Sequence, residues 1–313
     1  MDRREFLFGA AATAALAGCA TRAPRPCVAC TGKPQFHVFS KMFQSPVTPS
    51  PEALCDLMAG AGFDGIQWTV RKKGHVLPEN AKRDLPRLCR IAESRGLKNV
   101  TICTDITSDA VGKPGLSPHA EEMLRVAADC GIALYRPAYF FYDAKTETFR
   151  QSMDRIRRGF ASLAALSART GVKTCYQNHS SWGPSVFGGL LWDVHACICD
   201  LDPADVGLEY DPMHALYETS QSWSHGFDLV APWIGAIDLK DYREGLDPKN
   251  PSRRKKQMCA AGEGIVPWQT VRELQAASGV KVPYVLHFEY DFDKTDLPKT
   301  VRTELEVFKK VFA

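Results

Sequence analysis

Four strand-like segments in the second half of the chain carry polar side chains two residues apart. Residues two apart on a strand share a face, because successive side chains point to opposite sides. The pairs are Gln177 with His179, Glu209 with Asp211, Asp238 with Lys240, and His287 with Glu289. Residues of the opposite parity are mostly apolar, as expected for a face that packs against helices. Because a buried charge without a partner is costly, the pattern predicts a metal, a substrate or both.

Composition limits the class of protein before any site is considered. The chain has 313 residues, of which 45% are hydrophobic and 24% are charged. These values suit one large α/β domain or two small ones. A net charge of +3 is too small to indicate a nucleic-acid or membrane partner. The partner must therefore be inferred from the site.

The first residues have the pattern of an export signal. Arg3 and Arg4 precede an apolar, Ala-rich run at residues 8–17, typical of a twin-arginine signal and too short to span a bilayer. The Leu-Ala-Gly-Cys sequence ending at Cys19 resembles a bacterial lipobox. We predict an export signal at residues 1–19, a tether at 20–34, and a periplasmic lipoprotein held to the membrane through Cys19. A plain cleaved signal or a misplaced start site remains open.

The eleven cysteines do not predict a disulfide framework. Five of them occupy apolar positions of helix or strand patterns, as free buried thiols do. These are Cys55, Cys89, Cys103, Cys130 and Cys175. Cys27 and Cys30 form one CxxC pair in the tether, which indicates a local disulfide or no role rather than zinc binding.

Strand and helix signals alternate from residue 35 to the end of the chain. A typical helix begins with Ser50 as cap and Pro51 as first residue, and ends at Gly62. We count eight strands, each with a helical partner, and no linker that would divide them. This alternation predicts a single (β/α)8 TIM barrel, an α/β fold, over residues 35–313.

Reacting groups of such barrels lie at the C-terminal ends of the strands and in the following loops. That rule adds substrate-binding candidates from the first half of the chain and the ends of strands five and eight. The candidates are Trp68, Arg71, His75, Asp105, Arg136, Tyr139, Asn178 and His287. Arg71 and Arg136 could hold substrate oxygens, but each could equally be a structural ion-pair partner.

Several motifs together resemble a known family. They are Tyr-Gln-Asn-His at 176–179, Tyr-Asp-Pro-Met-His at 210–214, Asp-Leu-Lys-Asp at 238–241, Gly-Glu-Gly at 262–264, His-Phe-Glu-Tyr at 287–290 and the segment 69–80. In this order they resemble the sugar phosphate isomerase/epimerase group of the xylose isomerase-like TIM barrels. The resemblance extends over nearly all of the chain after the signal. It implies the fold more strongly than a reaction, because one barrel hosts many chemistries.

The resemblance implies a divalent metal site with ligands on the last four strands. The family uses Glu on strand five, Asp followed three residues later by His on strand six, His on strand seven and Glu on strand eight. Asp211 and Glu289 match, whereas Gln177 and Asp238 replace Glu and His. Oxygen ligands still suit a hard cation. We therefore predict Mn²⁺ or Mg²⁺ bound by Gln177, Asp211, Asp238 and Glu289. A mixed site is an alternative, because His287 shares a face with Glu289.

Gln177 also changes the expected mechanism. Epimerases of this group resemble two-base enzymes with Glu on strands five and eight, but an amide cannot take a proton. We predict metal-assisted proton abstraction beside a sugar carbonyl by a single base. Glu289 is the expected ligand, with base as its second possible role, and Lys240 is the cation that would hold the developing oxyanion or a substrate oxygen. His179 or His214 would shuttle a proton or orient a hydroxyl.

Three alternatives stay open for the function. A single base suits a sugar isomerase, and equally a lyase or hydratase acting on 3-keto-glycosides. A non-catalytic carbohydrate-binding relic is a further alternative, since two ligand positions have changed. A DNA-repair endonuclease of the same fold is disfavoured, because eight histidines are few for a three-zinc site and the basic run at 253–256 is typical of a solvated loop. The expected partner is a small, unphosphorylated saccharide, not a nucleic acid, and the oligomeric state is open.

Overall fold

The computed structural model describes residues 32–180 and 186–313. The predicted export signal, the lipid attachment at Cys19, nearly all of the tether and the Cys27–Cys30 pair lie outside the described residues. They stay predictions.

Eight parallel strands close into a barrel. In chain order they are Phe36–Phe39, Gly65–Val70, Thr101–Thr104, Leu134–Arg136, Lys173–Gln177, Val206–Tyr210, Ile234–Leu239 and Tyr284–Leu286. Each strand pairs with the next along the chain, and the first pairs with the eighth, where Phe36 lies opposite Tyr284. The predicted (β/α)8 TIM barrel is confirmed.

Helices connect the strands on the outside of the barrel. In the described part of the chain they are α1 (Pro51–Ala61), α2 (Ala81–Glu93), α3 (Ala120–Asp129), α4 (Phe149–Thr170), α5 (Leu191–Ile198), α6 (Pro212–Thr219), α7 (Trp223–Val230), α8 (Trp268–Ser278) and α9 (Leu297–Phe312). None of the described helices is long and apolar enough to cross a bilayer.

Helix α1 begins and ends where its sequence signals predict. Ser50 Oγ accepts a hydrogen bond from the backbone N–H of Ala53 at 3.2 Å, which satisfies one donor of the first turn. Pro51 is the first residue of the helix, and Gly62 ends it with a φ of +91°. Glycine adopts this left-handed conformation at little cost.

Two antiparallel hairpins, absent from the strand prediction, follow the third and seventh barrel strands. One joins Ser108–Ala110 to Lys113–Leu116, and the other joins Asp241–Asp247 to Asn250–Cys259. The second hairpin corrects our placement of residues 253–256 in a loop, whereas Arg254 and Lys255 are exposed as expected. These four residues belong to a ten-residue strand, and the side chain of Lys256 is partly buried.

Apolar side chains fill both sides of the sheet. The outer face packs against the helices in one large core, whereas a smaller apolar cluster containing Phe39, Cys103, Cys175 and Val285 carries the parity of the barrel interior. All eight cysteines in the described ranges are free thiols, as predicted for those five named above. The polar residues of the interior lie among and above this small cluster.

Candidate active site

Three neighbouring barrel strands, the sixth to the eighth, each point two polar side chains of the same parity into the barrel. The members nearer the C-terminal ends of the strands form what we call the upper layer: Asp211, Lys240 and Glu289. The members two residues earlier form the lower layer: Glu209, Asp238 and His287. The six residues are buried except for Glu289, whose side chain is 22% exposed.

The upper layer is held together by an ammonium group. Lys240 Nζ lies 2.9 Å from Asp211 Oδ2 and 3.1 Å from Glu289 Oε2. The other oxygen of Glu289 accepts a hydrogen bond from Lys41 at 3.0 Å. Burial alone would raise the pKa of Glu289, but the charges of Lys240, His287 and Lys41 hold it well below its usual value. Glu289 is therefore an ionised carboxylate at the barrel mouth.

His214 fixes the position of Lys240. Lys240 Nζ lies 2.9 Å from His214 Nε2, and an ammonium group can only donate, so Nε2 is the acceptor. This assigns the ring proton to Nδ1, which donates to Ser180 Oγ at 2.7 Å. Burial, followed by the charge of Lys240, lowers the pKa of His214 well below its usual value. The imidazole is neutral and orients the ammonium group.

His179 stacks on His214, with ring centroids 3.7 Å apart. Its Nδ1 donates to the carbonyl oxygen of Ser180 at 2.7 Å. Burial and the charge of Lys240 lower the pKa of His179 to about 2. A neutral His179 can orient a hydroxyl group, whereas a role as proton donor at neutral pH would require a change in its surroundings.

The second hairpin brings another cation to the same group. Lys256 Nζ donates to Ser180 Oγ and lies 4.7 Å from the ring centroid of Tyr217. Burial and the charge of Lys240 lower the pKa of Lys256 to about 8. A chain of contacts thus leads from Lys256 through Ser180 and His214 to Lys240.

Gln177 is fully engaged through both ends of its amide. Its Oε1 accepts hydrogen bonds from Arg136 Nη1 at 3.0 Å and from the hydroxyl of Tyr139. Its Nε2 donates to Asp211 Oδ2 at 3.0 Å and to Asp238 Oδ2 at 2.6 Å. The donor side of the amide therefore faces the carboxylates, so Gln177 does not present an oxygen to an ion bound among them.

The lower layer contains two carboxyl groups in a low-dielectric environment. Glu209 lies 3.2 Å from Arg136 Nη1 and accepts from Gln67 Nε2 at 2.8 Å. Burial, then the charge of Asp238, raises the pKa of Glu209 to about 8. Burial, then the charge of Asp211, raises the pKa of Asp238 to about 7. Neither carboxyl group has enough positive charge beside it to keep an ordinary pKa.

His287 completes the lower layer without a hydrogen bond of its own. Neither ring nitrogen of His287 has a hydrogen-bond partner among the described residues, and the same is true of Asp238 Oδ1. His287 Nε2 nevertheless lies 3.2 Å from Asp238 Oδ1. Buried polar atoms almost always have partners. Two of these three atoms thus face each other, whereas His287 Nδ1 has no hydrogen-bond partner among the described residues.

The donor set of the lower layer fits a divalent metal. One ligand atom each from Glu209, Asp238 and His287 lies within 4.8 Å of the others. Carboxylates and imidazole are common ligands of divalent ions. Of the four ligands predicted by resemblance, Asp238 alone belongs to this cluster. Asp211 and Glu289 are paired with Lys240 instead, and Gln177 donates to two carboxylates.

The predicted substrate-binding residues do not all reach the barrel mouth. Arg71 lies 5.9 Å from the ring centroid of Phe39, whose ring is 4.6 Å from that of His287. His75 Nδ1 contacts the hydroxyl of Thr69 at 2.9 Å, and burial lowers the pKa of His75 to about 4. Asp105 accepts from the backbone N–H of Lys72 at 3.0 Å.

Trp68 and Asn178 have structural contacts. Trp68 is fully buried in the outer core, and its indole N–H donates to Asn99 at 3.1 Å. Its neighbour Gln67 occupies the interior face, so alternation turns Trp68 away from the mouth. Asn178 uses both ends of its amide on the backbone of Asp211, at 2.7 and 3.0 Å. It anchors the end of the sixth strand.

Four residues that contribute to the site were not assigned a role from the sequence. The alternation placed Glu209 on the face of Asp211, but we did not predict it as a ligand. Ser180 follows the predicted His179 directly. Lys41 lies in a short 3-10 helix (Ser40–Phe43) after the first barrel strand, and Lys256 lies in the second hairpin. Only the tertiary structure reveals their contacts with Glu289 and Ser180.

The fold and the site define the class of protein. Residues 55–311 match the family model of the xylose isomerase-like TIM barrel, and the chain belongs to that family. No protein with a curated description matches the chain in sequence.

Solved structures give the same architecture at low sequence identity. D-Psicose 3-epimerase from Clostridium cellulolyticum, crystallised with D-tagatose, is 12% identical with a TM-score of 0.62, covering 89% of this chain and 99% of its own. The probable 3-DHS dehydratase of Bacillus anthracis is 12% identical with a TM-score of 0.66, covering 88% and 98%. 3-Keto-D-glucoside 4-epimerase of E. coli is 14% identical with a TM-score of 0.65, covering 89% and 100%. At these identities the likeness shows the fold.

Proposed function

We propose that the protein is a sugar isomerase/epimerase-like enzyme that removes a proton beside a carbonyl group with a single carboxylate base. The observation that supports this proposal most directly is the asymmetry of the barrel mouth. Glu289 and Lys240 form an ion pair at the ends of strands seven and eight, whereas Gln177 at the end of strand five is an amide. An amide cannot exchange roles with a carboxylate in a two-base reaction.

Glu289 is the group best placed to act as base. It is ionised, and its side chain is the most exposed of the two layers. A substrate that enters from the barrel mouth meets this carboxylate before the buried ones. Glu289 would accept the proton from the carbon next to the carbonyl.

Lys240 would stabilise the oxygen that becomes negatively charged. A substrate oxygen that replaces Glu289 beside Lys240 Nζ gains the ammonium group as a hydrogen-bond donor, and it releases the carboxylate to accept the proton. His214 would hold Lys240 in place during this exchange, since its Nε2 accepts from the same ammonium group. Preorganised donors of this kind stabilise transition states because they need no rearrangement during the reaction.

Glu209, Asp238 and His287 are the residues that would hold a divalent ion. When bound, such an ion supplies positive charge to the barrel interior, which favours an enediolate over the neutral sugar. His179 and Tyr139, whose rings are 4.9 Å apart, would orient substrate hydroxyl groups at the mouth.

The proposed substrate is a small saccharide without a phosphate group, and the proposed location is the periplasm. The support is the sequence alone: a twin-arginine pattern at Arg3 and Arg4 and a lipobox ending at Cys19. Sugar phosphates are chiefly cytoplasmic. Cell fractionation tests the location: Arg3→Lys combined with Arg4→Lys should retain the protein in the cytoplasm, and Cys19→Ala should release it from the membrane fraction.

A lyase or hydratase acting on 3-keto-glycosides is the second candidate function. It needs the same single base, because abstraction of the proton next to the 3-keto group precedes loss of a leaving group. The structural neighbours include an enzyme of 3-keto-D-glucosides and a probable dehydratase, so the barrel accommodates both reaction classes.

Incubation in deuterated buffer separates the two candidates. An isomerase should incorporate deuterium into a free ketose or aldose and interconvert the two, as followed by NMR. A lyase should instead release the aglycone from a 3-keto-glucoside. Glu289→Gln should suppress whichever activity is seen. No exchange and no turnover with either class of substrate would contradict both proposals and leave a saccharide-binding relic.

A further inference from the structure

The two layers of the barrel interior differ in one respect that bears on metal binding. The same three strands supply both, and each lower-layer residue precedes an upper-layer residue by two positions. The upper layer contains a positive charge of its own, the ammonium group of Lys240. The lower layer contains two carboxyl groups and an imidazole, and no cation from its own three strands.

The position near Asp211 and Glu289 is already filled by Lys240. The ammonium group contacts one oxygen of each carboxylate at 2.9 and 3.1 Å. A divalent ion at that point would have to displace a buried ammonium group that has three close partners. Like charges at short distance in a low-dielectric interior repel strongly.

The lower layer differs, because some of its buried polar atoms have no hydrogen-bond partner among the described residues. Both nitrogens of His287 and one oxygen of Asp238 are buried without hydrogen bonds in the described structure. They lie with Glu209 in a group whose ligand atoms are within 4.8 Å of one another. Arg136 reaches Glu209 at 3.2 Å, but it is also bonded to Gln177 and Cys103.

Charge balance supports an additional cation. The two layers contain four carboxyl groups, and the cations that pair with them are Lys240, Arg136 and, at the barrel mouth, Lys41. If all four carboxyl groups are ionised, one negative charge remains, and it lies in the lower layer, where Arg136 is the paired cation. A divalent ion bound there would more than balance it.

We propose that a divalent cation binds in the lower layer, between Glu209, Asp238 and His287, while Lys240 occupies the barrel mouth above it. Two carboxylates and one imidazole suit Mn²⁺. This site differs from the resemblance-based one, with which it shares only Asp238. It concerns the location of the ion and does not depend on the substrate, so its test is independent of the proposed function.

Titration with Mn²⁺ tests the proposal. The full chain is treated with a chelator, dialysed, and titrated with MnCl2 while free Mn²⁺ is measured by electron paramagnetic resonance. We expect one Mn²⁺ per wild-type chain. Glu209→Gln and His287→Gln should each weaken binding by at least about tenfold. Glu289→Gln should retain most of the affinity.

His37→Gln is the matched control for His287→Gln. His37 is also a buried histidine whose ring nitrogens lack hydrogen bonds, but it is not part of the cluster. Its replacement should leave Mn²⁺ binding intact. Circular dichroism and thermal unfolding of each variant would show that a loss of binding is not a loss of fold.

A spectroscopic measurement on the wild-type protein gives a second test. His287 supplies a nitrogen ligand, so bound Mn²⁺ should show coupling to ¹⁴N in electron spin echo experiments. An ion held by Gln177, Asp211, Asp238 and Glu289 would have oxygen ligands only and show no such coupling. Absence of coupling, equal loss of binding in Glu289→Gln and Glu209→Gln, or no stoichiometric Mn²⁺ in the wild type would each overturn the proposal.

Discussion

The upper and lower layers come from the same strands, yet the pKa values of Glu289 in the upper layer and Glu209 in the lower layer are shifted in opposite directions. Burial would raise the pKa of Glu289, but nearby positive charge, chiefly that of Lys240, holds it well below its usual value. The pKa of Glu209 rises to about 8, because burial dominates. Glu209 also has a cation beside it, Arg136 at 3.2 Å, but burial outweighs that charge. Glu289 is partly exposed and is paired with both Lys240 and Lys41. This difference divides the site into a reactive part and a part suited to an ion.

The largest expected effect is on catalysis by the upper layer. Glu289→Gln removes the proposed base but keeps the shape of the side chain, so kcat should fall about 10³-fold. Deuterium exchange into the sugar measures this loss. The control is Glu121→Gln, which breaks a surface ion pair with Arg125 on α3 and should leave kcat close to wild type. Full exchange activity in Glu289→Gln would remove the upper layer from the mechanism.

Removal of the Lys240 ammonium group should leave the upper layer, like the lower one, without a cation from its own strands. Lys240→Met leaves Asp211 and Glu289 without their shared partner, and breaking a buried pair costs about 3–5 kcal/mol of unfolding free energy. Urea unfolding measures this loss. Added Mn²⁺ should recover part of it, because free carboxylate oxygens then face the mouth.

A surface lysine provides the control for that variant. Lys294→Met removes an exposed pair with Asp291 and should cost less than about 1 kcal/mol. If Lys240→Met unfolds no more easily than Lys294→Met, the ammonium group does not hold the upper layer together.

Gln177→Glu tests the amide that separates the mouth from the lower layer. The change replaces an NH₂ donor to Asp211 and Asp238 with a further acceptor, which should cost about 1–3 kcal/mol in metal-free protein. The added negative charge should also tighten Mn²⁺ binding. Gln177→Met, which lacks the charge, is the control for the binding effect. Equal affinities in the two variants would contradict the electrostatic explanation.

The sequence predicts the architecture of this protein better than its site. Strand-helix alternation identifies the eight strands, and Ser50 and Gly62 identify the ends of α1 because caps are local. Alternation also pairs Glu209 with Asp211 on one face. These features depend on neighbours in the chain, and so they can be recognised without tertiary information.

The partners of each polar group could not be predicted in the same way. The family resemblance predicted Asp211 and Glu289 as metal ligands. It could not show that Lys240 lies between them at ion-pair distance. Nor could it show which end of the Gln177 amide faces the acids. Lys256 was assigned to a solvated run because the hairpin that carries it is a long-range feature. Distances across the barrel depend on packing that no local pattern encodes.

The smallest expected effect extends the comparison to His37, on the first barrel strand. Burial, followed by the charge of Lys98, lowers the pKa of His37 from 6.5 to about 3, so the ring is neutral in the folded protein. The unfolded chain takes up the proton as the pH falls below 6.5, and the folded protein does so only near pH 3. Above pH 6.5 the ring is neutral in both states, so His37 does not lower the free energy of unfolding. As the pH falls from 6.5 toward 3, the unfolded chain alone binds the proton, and the free energy of unfolding decreases progressively.

Comparison of wild type with His37→Gln isolates this contribution. Between pH 7.5 and 5.5 the wild type should lose about 1 kcal/mol more unfolding free energy than the variant, measured by urea unfolding in the presence of a chelator. The remaining histidines are common to both proteins and cancel in the difference. Equal losses would mean that His37 is not held neutral by burial.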